Sequence, residues 1–106
     1  MLPKIYGDFH KLDDENRIVL TTHGTAKDLA RLNIQLSEGM PLTFYMDDAD
    51  DEGNSDDIMV DGVARYSATD KCWVAVVDWD DVYHASEAAT RSSSNGAANK
   101  QPVKKL

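Results

Sequence analysis

The sequence predicts a mainly β domain: a small, strongly bent, five-stranded antiparallel barrel or roll, SH3-like, with one short helix. Three observations predict it. Apolar residues fall in short runs with period-two alternation, as where Leu42, Phe44 and Met46 oppose Thr43 and Tyr45. Polar segments such as LDDEN (12–16) and SATDK (67–71) interrupt those runs at turn spacing. Cys72 to Trp79 (CWVAVVDW) is largely apolar on both faces, as a central strand or a closed barrel requires.

Ile5 to Phe9 is the first strand candidate, and the β-branched run Arg17 to Thr22 (RIVLTT) the second. AKDLARLN follows Gly24-Thr25. Thr25 with Asp28 three residues on matches a capping box with Asp in place of Glu, and predicts a helix over 26–32. Leu29 and Leu32 share its apolar face, Lys27, Asp28 and Arg31 face water, and Asn33 is the left-handed stop. Pro41 leads into the strand through Met46, Asp47 to Asp57 is a long loop, and Ile58 to Tyr66 is the next strand. Broken alternation at Asp61-Gly62 predicts a bulge or sharp coil there, which would let the sheet curl. After Trp79, Asp80 to Ser86 is a helical turn with acidic residues at its start. The domain spans 1–86, and 87–106, small, polar and mildly basic, is a disordered tail.

The chain has 106 residues and a formal charge of −8, unevenly spread. Residues 1–84 carry 7 basic and 18 acidic side chains, 7 − 18 = −11, and residues 85–106 carry 4 − 1 = +3. No Lys, Arg or His lies between Arg31 and Arg65, where nine carboxylates do. Phosphate backbones and anionic membranes bind through Lys and Arg, so this balance disfavours direct nucleic-acid or membrane partners. The N-terminus MLPKIYGDFH has no apolar stretch of signal-peptide length, and no run approaches membrane-span length. The expected location is cytoplasmic. One cysteine, Cys72, excludes an internal disulfide and any multi-cysteine zinc cluster.

Tyr6-Gly7-Asp8-Phe9, Gly24-Thr25 with Asp28-Leu29-Ala30, and Trp73-Val74-Ala75 with Asp78-Trp79 resemble segments of short, uncharacterised, acidic bacterial proteins. The resemblance covers about residues 6–86. It implies a bacterial, cytoplasmic origin and a fold without a catalytic signature. No activity is known for those proteins, so no site residue is carried over.

One spacing has a mechanism behind it. Asp48, Asp50 and Glu52 fall at the first, third and fifth positions of a calcium loop, Gly53 at the sixth and Asp56 at the ninth. The twelfth position, normally a bidentate carboxylate, is Met59, and the flanks read as strands, which excludes an EF-hand. These four carboxylates are the candidate ligands of a low-affinity Ca2+ site; no other cofactor is expected. His10, His23 and His84 show no zinc spacing, and Cys72 reads as a small buried hydrophobe. Phosphate-loop, dinucleotide and nucleophile-elbow motifs are all missing from the sequence.

The reading is a non-catalytic protein-interaction module for a basic or Pro-rich partner. Its candidate surface is Tyr45 and Trp79 beside Asp47 and Asp48, an aromatic groove with an acidic rim. Two alternatives stand beside it: a divalent-cation-binding domain through loop 47–57, and an acidic mimic of nucleic acid.

Overall fold

A computed structural model describes residues 2–88. The predicted tail lies outside these residues, apart from Glu87 and Ala88. The domain is mainly β. In chain order the elements are β1 (Lys4–Tyr6), β2 (Ile18–Val19), α1 (His23–Arg31), β3 (Pro41–Met46), β4 (Ile58–Ser67), β5 (Cys72–Val77) and β6 (Tyr83–His84), with 3-10 turns at Trp79–Asp81 and Ala85–Glu87.

The strands form one six-stranded sheet in the order β1-β3-β4-β5-β2, with β6 also paired to β4. This corrects the expected five-stranded antiparallel barrel in three ways. There are six strands, β1 and β3 run parallel, and the sheet stays open. Its edge strands are three and two residues long, and each is finished locally rather than joined to the other. Beyond β2, Lys11 to Asp13 turns back on the strand: Val19 N–H donates to Lys11 O and Asp13 N–H to Arg17 O. The Asp13 carboxylate fastens that turn by accepting from the Arg17 amide at 2.8 Å and Arg17 Nε at 2.7 Å.

Long β4 organises the molecule. Its first half has β3 on one side and β6 on the other; its second half pairs with β5. Beside that second half, Glu38 accepts from the Tyr66 amide at 3.0 Å and from Arg65 Nη1 at 3.0 Å. The Asp80–Ser86 stretch is therefore not one helical turn. After a kink in which the Asp78 carboxylate accepts from the Asp80 amide, the chain rejoins β4 as β6. Nor is there a bulge at Asp61-Gly62, since pairing runs unbroken through Gly62, with Leu42 on one side and Val77 on the other. Glycine is needed there because a Cβ would run into the Val76 carbonyl oxygen.

On one face of the sheet Ile5, Phe9, Ile18, Leu20, Leu42, Phe44, Val60, Ala64 and Ala75 form the core, with Trp73, Val77 and Trp79 packed against it. Alternation along β3 therefore holds as predicted: Leu42 and Phe44 point inward and Tyr45 points to the opposite face.

The helix begins three residues earlier than expected, and Thr25 and Asp28 lie inside it rather than capping it. Asp28 is only 7% exposed, against the expectation that it faces water. The reason is its partner. Tyr6 points both backbone polar groups away from β3, and α1 answers them: Thr25 Oγ1 donates to Tyr6 O at 2.6 Å, and Tyr6 N–H donates to Asp28 Oδ2 at 2.9 Å. Residues three apart rise ~4.5 Å along a helix, enough to reach the two polar groups of one strand residue. A helix thereby covers an edge that would otherwise pair with other chains. Asn33, at φ 56°, ends α1 as predicted, with Asn33 N–H on Ala30 O and Ile34 N–H on Leu29 O.

Candidate functional site: an aromatic row and an acidic hairpin

The face away from the core carries an ordered row that cross-strand register makes visible. Tyr6 pairs with Tyr45, Tyr45 with Met59, and Met59 with Tyr83. Side chains directly opposite in a sheet share a face, so β1, β3, β4 and β6 set three tyrosines and a methionine side by side. A second row, Lys4, Thr43 and Asp61, runs beside it.

Each ring is held. Tyr6 and Tyr45 meet edge to face with centroids 5.8 Å apart. Tyr45 Oη donates to Asp28 Oδ2 at 2.9 Å, and Tyr83 Oη to Asp61 Oδ1 at 3.3 Å. Thr43 Oγ1 also donates to Asp61 Oδ1, at 2.8 Å. Met59, between Tyr45 and Tyr83, is 7% exposed, whereas the three tyrosines are half-buried. Burial and the hydrogen bond to ionised Asp28 push the Tyr45 phenol up to about 12. Burial also raises Tyr6, helped by the negative charges of Asp8 and Asp47. Burial alone would raise Asp28; the hydrogen bonds from Tyr45, the Tyr6 amide and Arg31 outweigh it and hold the carboxyl below its usual range. The Tyr6 and Tyr45 phenols are therefore neutral anchors, not bases.

The ammonium of Lys4 lies 5.4 Å from the Tyr45 ring centroid, over its face. That ring already presents its negative face to a cation, with exposed Asp47 close enough to bias both tyrosines.

The 47–57 loop is a small hairpin in its own right. Asp56 N–H donates to Asp48 O at 3.0 Å, Ala49 bridges to Ser55, and Asp50 N–H donates to Asn54 O at 2.9 Å. At the tip the Asp50 carboxylate accepts from the amides of Glu52 and Asn54, both at 2.9 Å, while Gly53 takes φ 83°. The chain after β6 clasps the hairpin's base. Asp56 accepts from the Ser86 amide and hydroxyl at 2.9 and 2.8 Å, Asp57 O accepts from the Ala85 amide, and Asp48 Oδ2 lies 2.9 Å from His84 Nε2.

The residues singled out from sequence are thus divided among several places. Tyr45 and Asp47 belong to the aromatic face. Trp79 does not join them: its ring packs on Phe9 at 5.5 Å, and its indole N–H donates to Asn16 O at 2.8 Å. Of the four candidate metal ligands, Asp48 turns to His84, Asp56 to Ser86 and Asp50 to the tip amides, while Glu52 stands exposed. Among the described residues no three His, Cys, Asp or Glu side chains come together in a way that could hold a metal ion. The calcium-loop glycine does make a sharp turn, but side chains and amides of the chain itself complete it.

Tyr6 and Tyr83 were missed as site residues. Tyr6 joins the row through parallel pairing across 39 positions, with Tyr45, and Tyr83 through a two-residue strand; neither leaves a local pattern. No helix among the described residues is long and apolar enough to cross a membrane. Compared with protein-family models, curated proteins and solved structures, the chain matches none of them.

Proposed function

We propose that this domain is a non-catalytic interaction module whose aromatic row and acidic hairpin receive a basic segment of a partner protein. The observation that supports the reading is the chain's own Lys4 ammonium, 5.4 Å from the Tyr45 ring centroid, on a ring that also feels the charge of Asp47. Charge distribution supports it. Seven carboxylates lie within 47–57, and among the described residues no Lys or Arg side chain pairs with any of them. Fixed rings with a neighbouring carboxylate favour Arg or Lys side chains, and a Pro-rich backbone suits the same flat aromatic surface. In this reading the partner segment lies on the outer face of an open sheet.

The test is the anisotropy of a labelled oligo-arginine peptide titrated with the full chain. Binding is expected to weaken as salt is raised. Neutralising Asp47 and Asp51 (D47N with D51N) is expected to weaken it more than neutralising Asp14 and Glu15 (D14N with E15Q), which sit on the 13–17 turn beside β2, the edge strand at the other end of the sheet from β1. Equal losses from both pairs would reduce the interaction to general charge attraction and overturn the proposal.

A further inference from the structure

Beyond Ala88 the sequence continues through 18 more residues, which carry Arg91, Lys100, Lys104 and Lys105 and no Asp or Glu. Within them, KQPVKKL (100–106) combines three ammonium groups with a proline, the chemistry that suits flat rings beside carboxylates. The arginines of the domain are engaged elsewhere: Arg17 with Asp13, Arg31 with Asp28 and Arg65 with Glu38. Among the described residues, no Lys or Arg pairs with the carboxylates of 47–57. The chain also reaches Ala88 at a telling place. Tyr83 closes the aromatic row on β6, and the residues just after it line the base of the hairpin, Ala85 on Asp57 and Ser86 on Asp56. From β6 to β1 the row crosses three strand spacings, about 14 Å at ~4.8 Å each. The 12 residues from Ala88 to Lys100 can span up to about 40 Å, enough to reach any part of it.

We propose that the 100–105 segment occupies the aromatic row of its own chain, its lysines beside Tyr45 and Asp47 and Pro102 on the rings, so that a partner's basic segment must displace it. The proposal rests on the reading of the row as a receptor for basic segments. Charge complementarity selects this occupant: residues 1–84 carry −11 and residues 85–106 carry +3. Covalent connection does the rest, because a tethered segment meets its surface at a local concentration on the order of millimolar. A contact too weak to hold a free peptide is then sufficient within one chain. Occupied in this way, the row stays closed to weakly basic segments and opens to those that bind it more tightly than 100–105 does. Raised salt weakens the internal contact as it weakens the partner's.

The test compares three full chains: the parent, K104Q with K105Q, and K11Q with K71Q. The last pair removes the same charge from exposed lysines outside the row, Lys11 beside β2 and Lys71 in the turn before β5. Each chain is titrated with the oligo-arginine peptide, and the amide shifts of Tyr6, Tyr45, Met59 and the hairpin are recorded before peptide is added. Releasing a millimolar-affinity segment from a millimolar local concentration strengthens a competitor about twofold. K104Q with K105Q is therefore expected to bind the peptide at least that much more tightly than K11Q with K71Q. Its row amides should also differ from the parent's, by an amount that dilution does not change. Equal binding by the two variants would overturn the proposal and leave the receptor reading standing. Amide differences that fade on dilution would assign the segment to a second copy and overturn it as well. Peptide that binds none of the three chains would end both readings.

Discussion

Asp28 shows how much a single side chain decides. It is buried, ionised and bonded to the Tyr6 amide, the Tyr45 phenol and Arg31, so it joins the helix to the sheet edge and also anchors the aromatic row. Replacing it with Ala strands an amide and a phenol, and we expect a loss of about 2–4 kcal/mol in denaturant unfolding. Its depressed carboxyl gives the pH sign. The stabilisation is present above the unfolded value near 4 and is lost as pH falls through the lower folded value. An Asp28→Asn chain, less stable at neutral pH, should therefore lose less on acidification than the parent; an equal acid loss would show that other carboxylates govern it. The Thr25–Asp28 spacing was legible in the sequence, but its purpose was not. A capping box and an edge clamp use the same residue types three apart, and the Asp28 partner lies 22 positions away at Tyr6. Gly62 was likewise visible as a break in alternation. Only the crossing of β5 explains it, and Gly62→Ala is expected to cost about 2 kcal/mol or more, because backbone rather than a flexible side chain stands in the way.

At the scale of elements, β3, β4, β5 and the helix stop at Asn33 followed from alternation and residue type, since each is written in consecutive residues. The parallel pairing of β1 with β3 and the short β6 were not, because a strand of two or three residues carries no period. Strand β6 forms where it does because the kink after β5 returns the chain to β4, and the hairpin's Asp48 and Asp56 then hold it. The hairpin tip is set by Gly53 at φ 83°, with open space around a Cβ. Gly53→Ala should cost about 1 kcal/mol through backbone conformation alone. A thermal melt should show that small drop, and oligo-arginine binding should persist if the tip only shapes the loop.

For the molecule as a whole, the acidic surface and the sheet topology act together. Charge counting located the excess between Arg31 and Arg65, and apart from Glu38, which binds Arg65 and the Tyr66 amide, the structure divides it between a self-completed hairpin and the rim of the aromatic row. Because the candidate ligands are turned to separate partners, millimolar calcium, magnesium and ionic-strength-matched sodium chloride are expected to shift the melting midpoint equally. A calcium-specific rise would mean selective binding to the native state and would support the metal reading. The central claim concerns the outer face, and amide and methyl NMR mapping of the oligo-arginine peptide on the full chain tests it most directly. The account predicts perturbations confined to Tyr6, Tyr45, Met59, Tyr83 and the Asp47–Asp57 hairpin, fading as salt rises. Perturbations spread over every acidic turn, or centred on Trp79 and the 13–17 turn, would contradict it.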